Sequence, residues 1–178
     1  VAFDLVPEEH RHNIEKQILK KLLVDNGGHI SSGVAGQNWT LRSLTKMGRG
    51  DVAFLLASQK SYPSFGYMAS RGATTIWELW NGDTASPKMN SGNHVMMLGD
   101  LIPWFYRDLA GINPARPAYK EMCLKPDLSI QNLERVSASY ESLHGTIRSS
   151  YVKTPMSLAW DIEIPCNTTA KVVLPTLN

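Results

Sequence analysis

The spacing of apolar residues changes period once along this 178-residue chain, and it changes late. Up to about residue 112, outside a loop-rich stretch at 60–93, apolar side chains recur every three to four positions; beyond about residue 118 they fall in short, partly alternating runs. The first spacing is that of a helix with one buried face, and the second is that of a strand. Such a chain places helices first and sheet second. It divides near 112–118 into a helical part, residues 1–112, and a β part, residues 113–178. The length suits one domain, or a domain and a half.

Ile14, Ile18, Leu19, Leu22 and Leu23 form one helical stripe in PEEHRHNIEKQILKKLLVDNGG. Pro7, Glu8 and Glu9 suit the start of that helix, and Gly27 and Gly28 suit its end. The spacing predicts a second helix from about Gln37 to Met47, stopped by Gly48, and a third that Asp51 caps and Val52, Leu55 and Leu56 bury. The tripeptide Arg49-Gly50-Asp51 is accounted for by those breaks. Residues 60–93 show no sustained helical period and read as a long loop, which inside a compact domain is usually functional. Val95, Leu98, Ile102, Phe105 and Leu109 then predict a fourth helix, kinked or split at Pro103 and ended by Gly111. RVSASYES, HGTIRSSYVK, SLAWDIEIP and TAKVVLP read as antiparallel strands of a small sandwich.

Charge excludes several classes of function. Lys and Arg total 18 against 16 Asp and Glu, a net charge of +2, and neither sign is gathered into a stripe or a tail. That balance argues against binding nucleic acid by phosphate neutralisation and against a polybasic membrane anchor. No apolar run approaches the ~18 residues that a membrane span needs. Cys123 and Cys166 are too few for a disulfide framework. His10 and His12, two apart, face different sides of a helix and make no metal site; no cofactor fingerprint is present, so neither metal nor cofactor is expected. The chain begins at Val1 without a methionine or a signal-peptide pattern and reads as a piece of something longer, so its compartment is not read from its start.

The chemistry concentrates in the long loop and the helix after it. Eight of the fifteen aromatic residues lie between positions 62 and 106: Tyr62, Phe65, Tyr67, Trp77, Trp80, Trp104, Phe105 and Tyr106. Aromatic faces stack on the C–H faces of sugars. Core packing is the plainer account of Trp104, Phe105 and Tyr106, whereas Trp77 and Trp80 stand between the two. Glu78 lies between Trp77 and Trp80 with no basic residue between Arg71 and Lys88, so desolvation is expected to raise its pKa and suit it to proton transfer. A surface glutamate is the plain alternative. Asp83 and Asp100 read as solvated. His94, with Ser91 or Asn93 as a helix cap beside it, is a candidate donor to a ligand hydroxyl or a structural hydrogen-bonder.

GATTIWELWNGD (72–83) followed by SGNHVMMLGDLIPWFYRDLAGI (91–112) resembles the C-terminal part of bacterial α-L-rhamnosidases of glycoside hydrolase family 78. YPSFGYM (62–68), SASYESLHGTIRSSY (137–151) and IPCNTTAKVVLP (164–175) fit the same family in the same order. The resemblance implies the last helices of an (α/α)6 toroid followed by a C-terminal antiparallel β-sandwich. It implies that Glu78, the glutamate of the TIWE motif, is the general base of an inverting hydrolase acting on terminal α-L-rhamnose. His94 would contact the sugar hydroxyls, and Trp80 and Trp77 would wall the pocket.

Inversion requires a second carboxyl group about 6.5–9.5 Å from the base, which leaves room for the attacking water. The family's general acid lies far upstream, and nothing before Glu78 matches its motif. Asp4, Glu8, Glu9 and Asp25 lie in or beside an ordinary amphipathic helix. The expectation is therefore a C-terminal fragment that holds the base but not the acid and is inactive alone. Its expected partners are a rhamnose-containing glycoside or polysaccharide and the remaining N-terminal part of the parent enzyme. Self-association of the uncovered helices is expected too. The compartment would be periplasmic or extracellular if the parent has a signal peptide and cytoplasmic otherwise. The alternative, from another class, is a non-catalytic sugar-binding or structural module.

Overall fold

The apolar stripe of the first segment forms helix α1, Glu8–Lys20, with Glu8 and Glu9 in its first turn at the positive end of the helix dipole. It widens into a π-helical turn, Lys21–Asp25, which buries Leu22. Gly27 and Gly28 then take φ of 60° and 77°, left-handed values that only glycine adopts freely, and the Gly28 amide closes the end by donating to the Leu22 carbonyl at 2.9 Å. Helix α2 runs Val34–Lys46, three residues earlier than the apolar spacing predicts, and α3 runs Gly50–Ala57.

Asp51 does not cap α3. The preceding residue is Arg49, and Asp51 sits in the first turn, where Arg49 Nε and Nη2 donate to its two carboxylate oxygens at 2.8 and 2.7 Å. The Arg49 hydrogen bonds hold the Asp51 carboxyl below the usual carboxylate range. A fourth helix, α4, occupies Phe65–Ser70 inside what reads as loop, with Ser64 as its cap: Ser64 Oγ accepts from the Tyr67 amide at 2.9 Å. Its six residues are too few to show a period, so only the serine signalled it.

This computed structural model describes residues 1–88, 91–94 and 101–174, which fall into two compact units, Val1–Ile102 and Pro103–Asn178. The first unit is helical and closes on Ile30, Leu41, Leu44, Val52, Ala53, Leu56 and Met68, all nearly or wholly buried. Residues 95–100, where the fourth predicted helix would begin, lie outside the described residues.

The second unit opens on helical backbone at Pro103 and Trp104 and a π-helical turn, Phe105–Leu109. Trp104 is fully buried, as core packing requires, but Phe105 is 38% exposed. Gly111 ends the turn at φ 76°; a Cβ there would lie 2.2 Å from the Pro126 nitrogen, so no other residue fits. Among the described residues six strands follow: β1 Ile112–Pro114, β2 Glu121–Leu124, β3 Arg135–Ser142, β4 Gly145–Lys153, β5 Leu158–Glu163 and β6 Thr169–Val172.

The strands make two sheets, β1-β2-β6 and β3-β4-β5. All pairings are antiparallel except β2 with β6, which run parallel. Ile112, Met122 and Leu124 of one sheet and Ile147 of the other share one core with Ala110; Val136, Ala138, Trp160 and Ile162 pack against it. The buried Ser149 hydroxyl stitches this core together: its Oγ donates to the Ala110 carbonyl at 2.7 Å and accepts from Trp160 Nε1 at 2.9 Å. The helices-then-sheet reading holds, while β1 and β2 are strands that the sequence reading missed.

Candidate active-site loop

The loop after α4 is organised by a few specific contacts. Two of its stretches, residues 75–78 and 91–94, lie side by side: the His94 amide donates to the Ile76 carbonyl at 2.8 Å, and the Glu78 amide donates to the Ser91 carbonyl at 3.0 Å. Thr75 Oγ1 donates to Asn93 Oδ1 at 2.9 Å beside them. This pairing brings Glu78 and His94, sixteen positions apart in the sequence, onto one local platform.

The Glu78 side chain is pinned by the same partner strand. The Ser91 amide donates to Glu78 Oε2 at 3.0 Å, so residue 91 holds residue 78 by backbone and side chain together. The helix that Ser91 or Asn93 is expected to cap begins outside the described residues, and the Ser91 amide is engaged with the glutamate, a contact that only the fold reveals. Glu78 is exposed on this chain, so the flanking tryptophans do not supply the desolvation expected from their adjacency. His94 is partly buried, and its Nδ1 is buried with no hydrogen-bond partner among the described residues.

Trp77 and Trp80 are both partly buried, and each has a definite neighbour. The Trp77 indole lies on Gly82: a Cβ at position 82 would meet its Cδ2, Cε3 and Cγ at 2.6–2.7 Å. Trp80 meets Phe65 edge to face, with ring centroids 5.3 Å apart and planes at 69°. Gly82→Ala therefore forces the indole aside. Overpacking of this kind costs about 1–3 kcal/mol, so urea unfolding should show a lower midpoint with an altered tryptophan emission. An unchanged midpoint and spectrum would mean that the ring is not held there.

Asp83 is no free surface carboxylate. Arg71 Nε donates to its Oδ2 at 2.8 Å, and the Tyr67 hydroxyl donates to the two carboxylate oxygens at 3.2 and 3.3 Å. The Arg71 guanidinium also lies over the Tyr67 ring, 5.6 Å from its centroid. The Arg71 hydrogen bond, helped by Tyr67, holds the Asp83 carboxyl below the usual carboxylate range. Among the described residues no group of three or more His, Cys, Asp or Glu side chains is placed to hold a metal ion, and no helix is long and apolar enough to cross a membrane.

Residues 1–109 match the family model for the bacterial alpha-L-rhamnosidase 6 hairpin glycosidase domain, and residues 111–178 match that for the bacterial alpha-L-rhamnosidase C-terminal domain. An alpha-L-rhamnosidase of Formosa agariphila is 34% identical over all of this chain, which spans 19% of that protein. The solved structure of an alpha-L-rhamnosidase from Dictyoglumus thermophilum superposes with a TM-score of 0.90 at 31% identity, covering 99% of this chain and 20% of that one. The Streptomyces avermitilis alpha-L-rhamnosidase complexed with L-rhamnose gives 0.86 at 31% identity, covering 99% of this chain and 17% of that one. The chain thus spans about a fifth of the length of the relatives it matches. Helical loop and β domain alike match along their whole length, and the chain belongs to the bacterial α-L-rhamnosidase family.

Proposed function

We propose that this chain is the C-terminal part of an inverting α-L-rhamnosidase that releases terminal α-L-rhamnose from glycosides or polysaccharides. Residues 1–112 carry the base side of the site and residues 113–178 the terminal β domain. The observation that carries this reading is the pinning of Glu78 by Ser91 within a loop that also sets His94 beside it. A carboxylate fixed through one oxygen keeps the other for a water molecule, the geometry a general base requires.

In this reading Glu78 takes a proton from water as the water oxygen attacks the anomeric carbon. The leaving-group oxygen receives its proton from a carboxylic acid elsewhere in the parent chain. His94 contacts the sugar hydroxyls, and Trp80 and Trp77 wall the pocket. Phe3, Leu5 and Val24 are 61, 82 and 70% exposed, so the chain without the rest of its parent is expected to self-associate.

The test is the configuration of the first product. Full-length enzyme acting on an aryl α-L-rhamnoside in an NMR tube should release β-L-rhamnose first, with the α anomer appearing only at the rate of mutarotation. Initial release of the α anomer would overturn inversion. Binding of rhamnose without any release would point instead to a sugar-binding module.

A further inference from the structure

We infer that Asp83 is a positioning residue for Glu78, held by Arg71 and Tyr67 in a clamp that fixes the loop to helix α4. The inference rests on the reading of Glu78 as the base and deepens it.

The contacts form a short path from the helix to the glutamate. Arg71 closes the C-terminal end of α4 and Tyr67 lies within it. Both donate to the Asp83 carboxylate, Arg71 at 2.8 Å and Tyr67 at 3.2 and 3.3 Å. Asp83 is bonded to Gly82, Gly82 lies against the Trp77 indole, and Trp77 is bonded to Glu78. Two contacts and two covalent neighbours thus lead from α4 to the carboxylate. Ser91 restrains Glu78 from the other side. The indole is the strut between clamp and base, and the missing side chain at Gly82 lets it sit there.

Magnitudes separate a positioning role from a purely structural one. The Arg71 side chain is 52% exposed, and ion pairs with so exposed a partner contribute little to stability. Placement of a catalytic group is far more sensitive, since a shift of about 1 Å costs on the order of 10²-fold in rate. The Asp83 side chain is only 17% exposed, shielded enough to keep one geometry. The mutual hydrogen bond lowers the Asp83 pKa and raises that of Arg71, so both stay charged at neutral pH. Trp80 is held separately, through Phe65, so loosening Asp83 leaves that contact with the sugar wall in place.

The experiment is a double-mutant cycle in the full-length enzyme, measured on an aryl α-L-rhamnoside. Asp83→Ala should lower kcat roughly 10–100-fold while KM stays within about threefold. Asp83→Asn, which keeps an oxygen to accept from Arg71 or Tyr67, should recover much of that loss. Tyr67→Phe removes one of the two donors and should give a smaller loss in the same direction, which keeps the test available if Asp83→Ala fails to fold. In a Glu78→Gln background, Asp83→Ala should leave the residual rate unchanged, because the group it positions is no longer a base. An equal loss in both backgrounds, a rise in KM with kcat untouched, or a wild-type kcat for Asp83→Ala would overturn the clamp and leave the base reading standing. Near-normal kcat for Glu78→Gln itself would overturn both, and it is read from that single variant alone.

Discussion

Glu78→Gln in the full-length enzyme is expected to lower kcat by roughly 10²–10⁴-fold while rhamnose binding stays within a few-fold. Glutamine keeps a side-chain oxygen that can accept the Ser91 amide now held at 3.0 Å by Glu78 Oε2. The loop pairing through the Glu78 and His94 amides does not involve the side chain and should persist. What is removed is the ability to accept a proton from water, an interaction that matters chiefly in the transition state. The acidic limb of the rate–pH profile, where a general base becomes protonated, should be missing from the residual rate. Glu78→Ala should in turn regain turnover with azide, an anion small enough for the vacated water site and nucleophilic enough to attack the anomeric carbon. Steady-state kinetics and calorimetric rhamnose binding on the same preparations check both halves. Near-normal kcat in Glu78→Gln would show that another group activates the water.

Much of the fold was legible because periodicity reports which face of an element is buried. The stripe through Ile14, Ile18 and Leu22 marks α1 and the π-helical turn that continues it, and the alternation in RVSASYES marks β3. The misses share a physical cause. Helix α4 has six residues and β1 three, too short for any period to rise above chance. Asp51 was read as a cap because aspartate favours that position, but a bidentate bond to Arg49 outweighs it here. That bond depends on the identity of one residue two positions earlier, which single-residue propensity does not weigh. The parallel pairing of β2 with β6 joins strands far apart in the chain, and no local pattern encodes it.

The loop shows the same division. Glu78, His94, Trp77 and Trp80 could be singled out from the company they keep in the sequence. Their positioning could not. Asp83 reads as a solvated turn residue, yet it accepts from Arg71 and Tyr67, and nothing in the sequence pairs the Ser91 amide with Glu78. A glycine against an indole is likewise invisible until the backbone turns between residues 77 and 82. Residue type reports what a side chain can do; only the fold reports which neighbour it does it with.

On the proposed reading, in which the general acid belongs to the rest of the parent, the 178-residue chain on its own is expected to hydrolyse an aryl α-L-rhamnoside at least about 10²-fold more slowly than a full-length homologue, the lower end of what acid–base assistance contributes. A general acid must hold its proton at the working pH. Three aspartates of the first unit are held the other way. Lys46 donates to Asp4 at 2.7 and 2.8 Å, Arg49 to Asp51, and Arg71 to Asp83, and each hydrogen bond pushes the carboxyl below the ordinary carboxylate range. A group with a lowered pKa loses its proton sooner as pH rises, so all three are carboxylates throughout the neutral range and cannot protonate a leaving oxygen. Asp25 is paired as well, 3.8 Å from Lys21. In the proposed mechanism Glu78 is also needed as an anion, and the second carboxyl that inversion requires is expected from the rest of the parent chain. Rates of the isolated chain, checked for helical content by circular dichroism, should therefore stay low even where the chain is folded. Restoration by adding the remaining part of the enzyme in trans would locate the acid there, whereas turnover by the folded chain alone at a homologue's rate would mean that a complete acid–base pair lies within these residues.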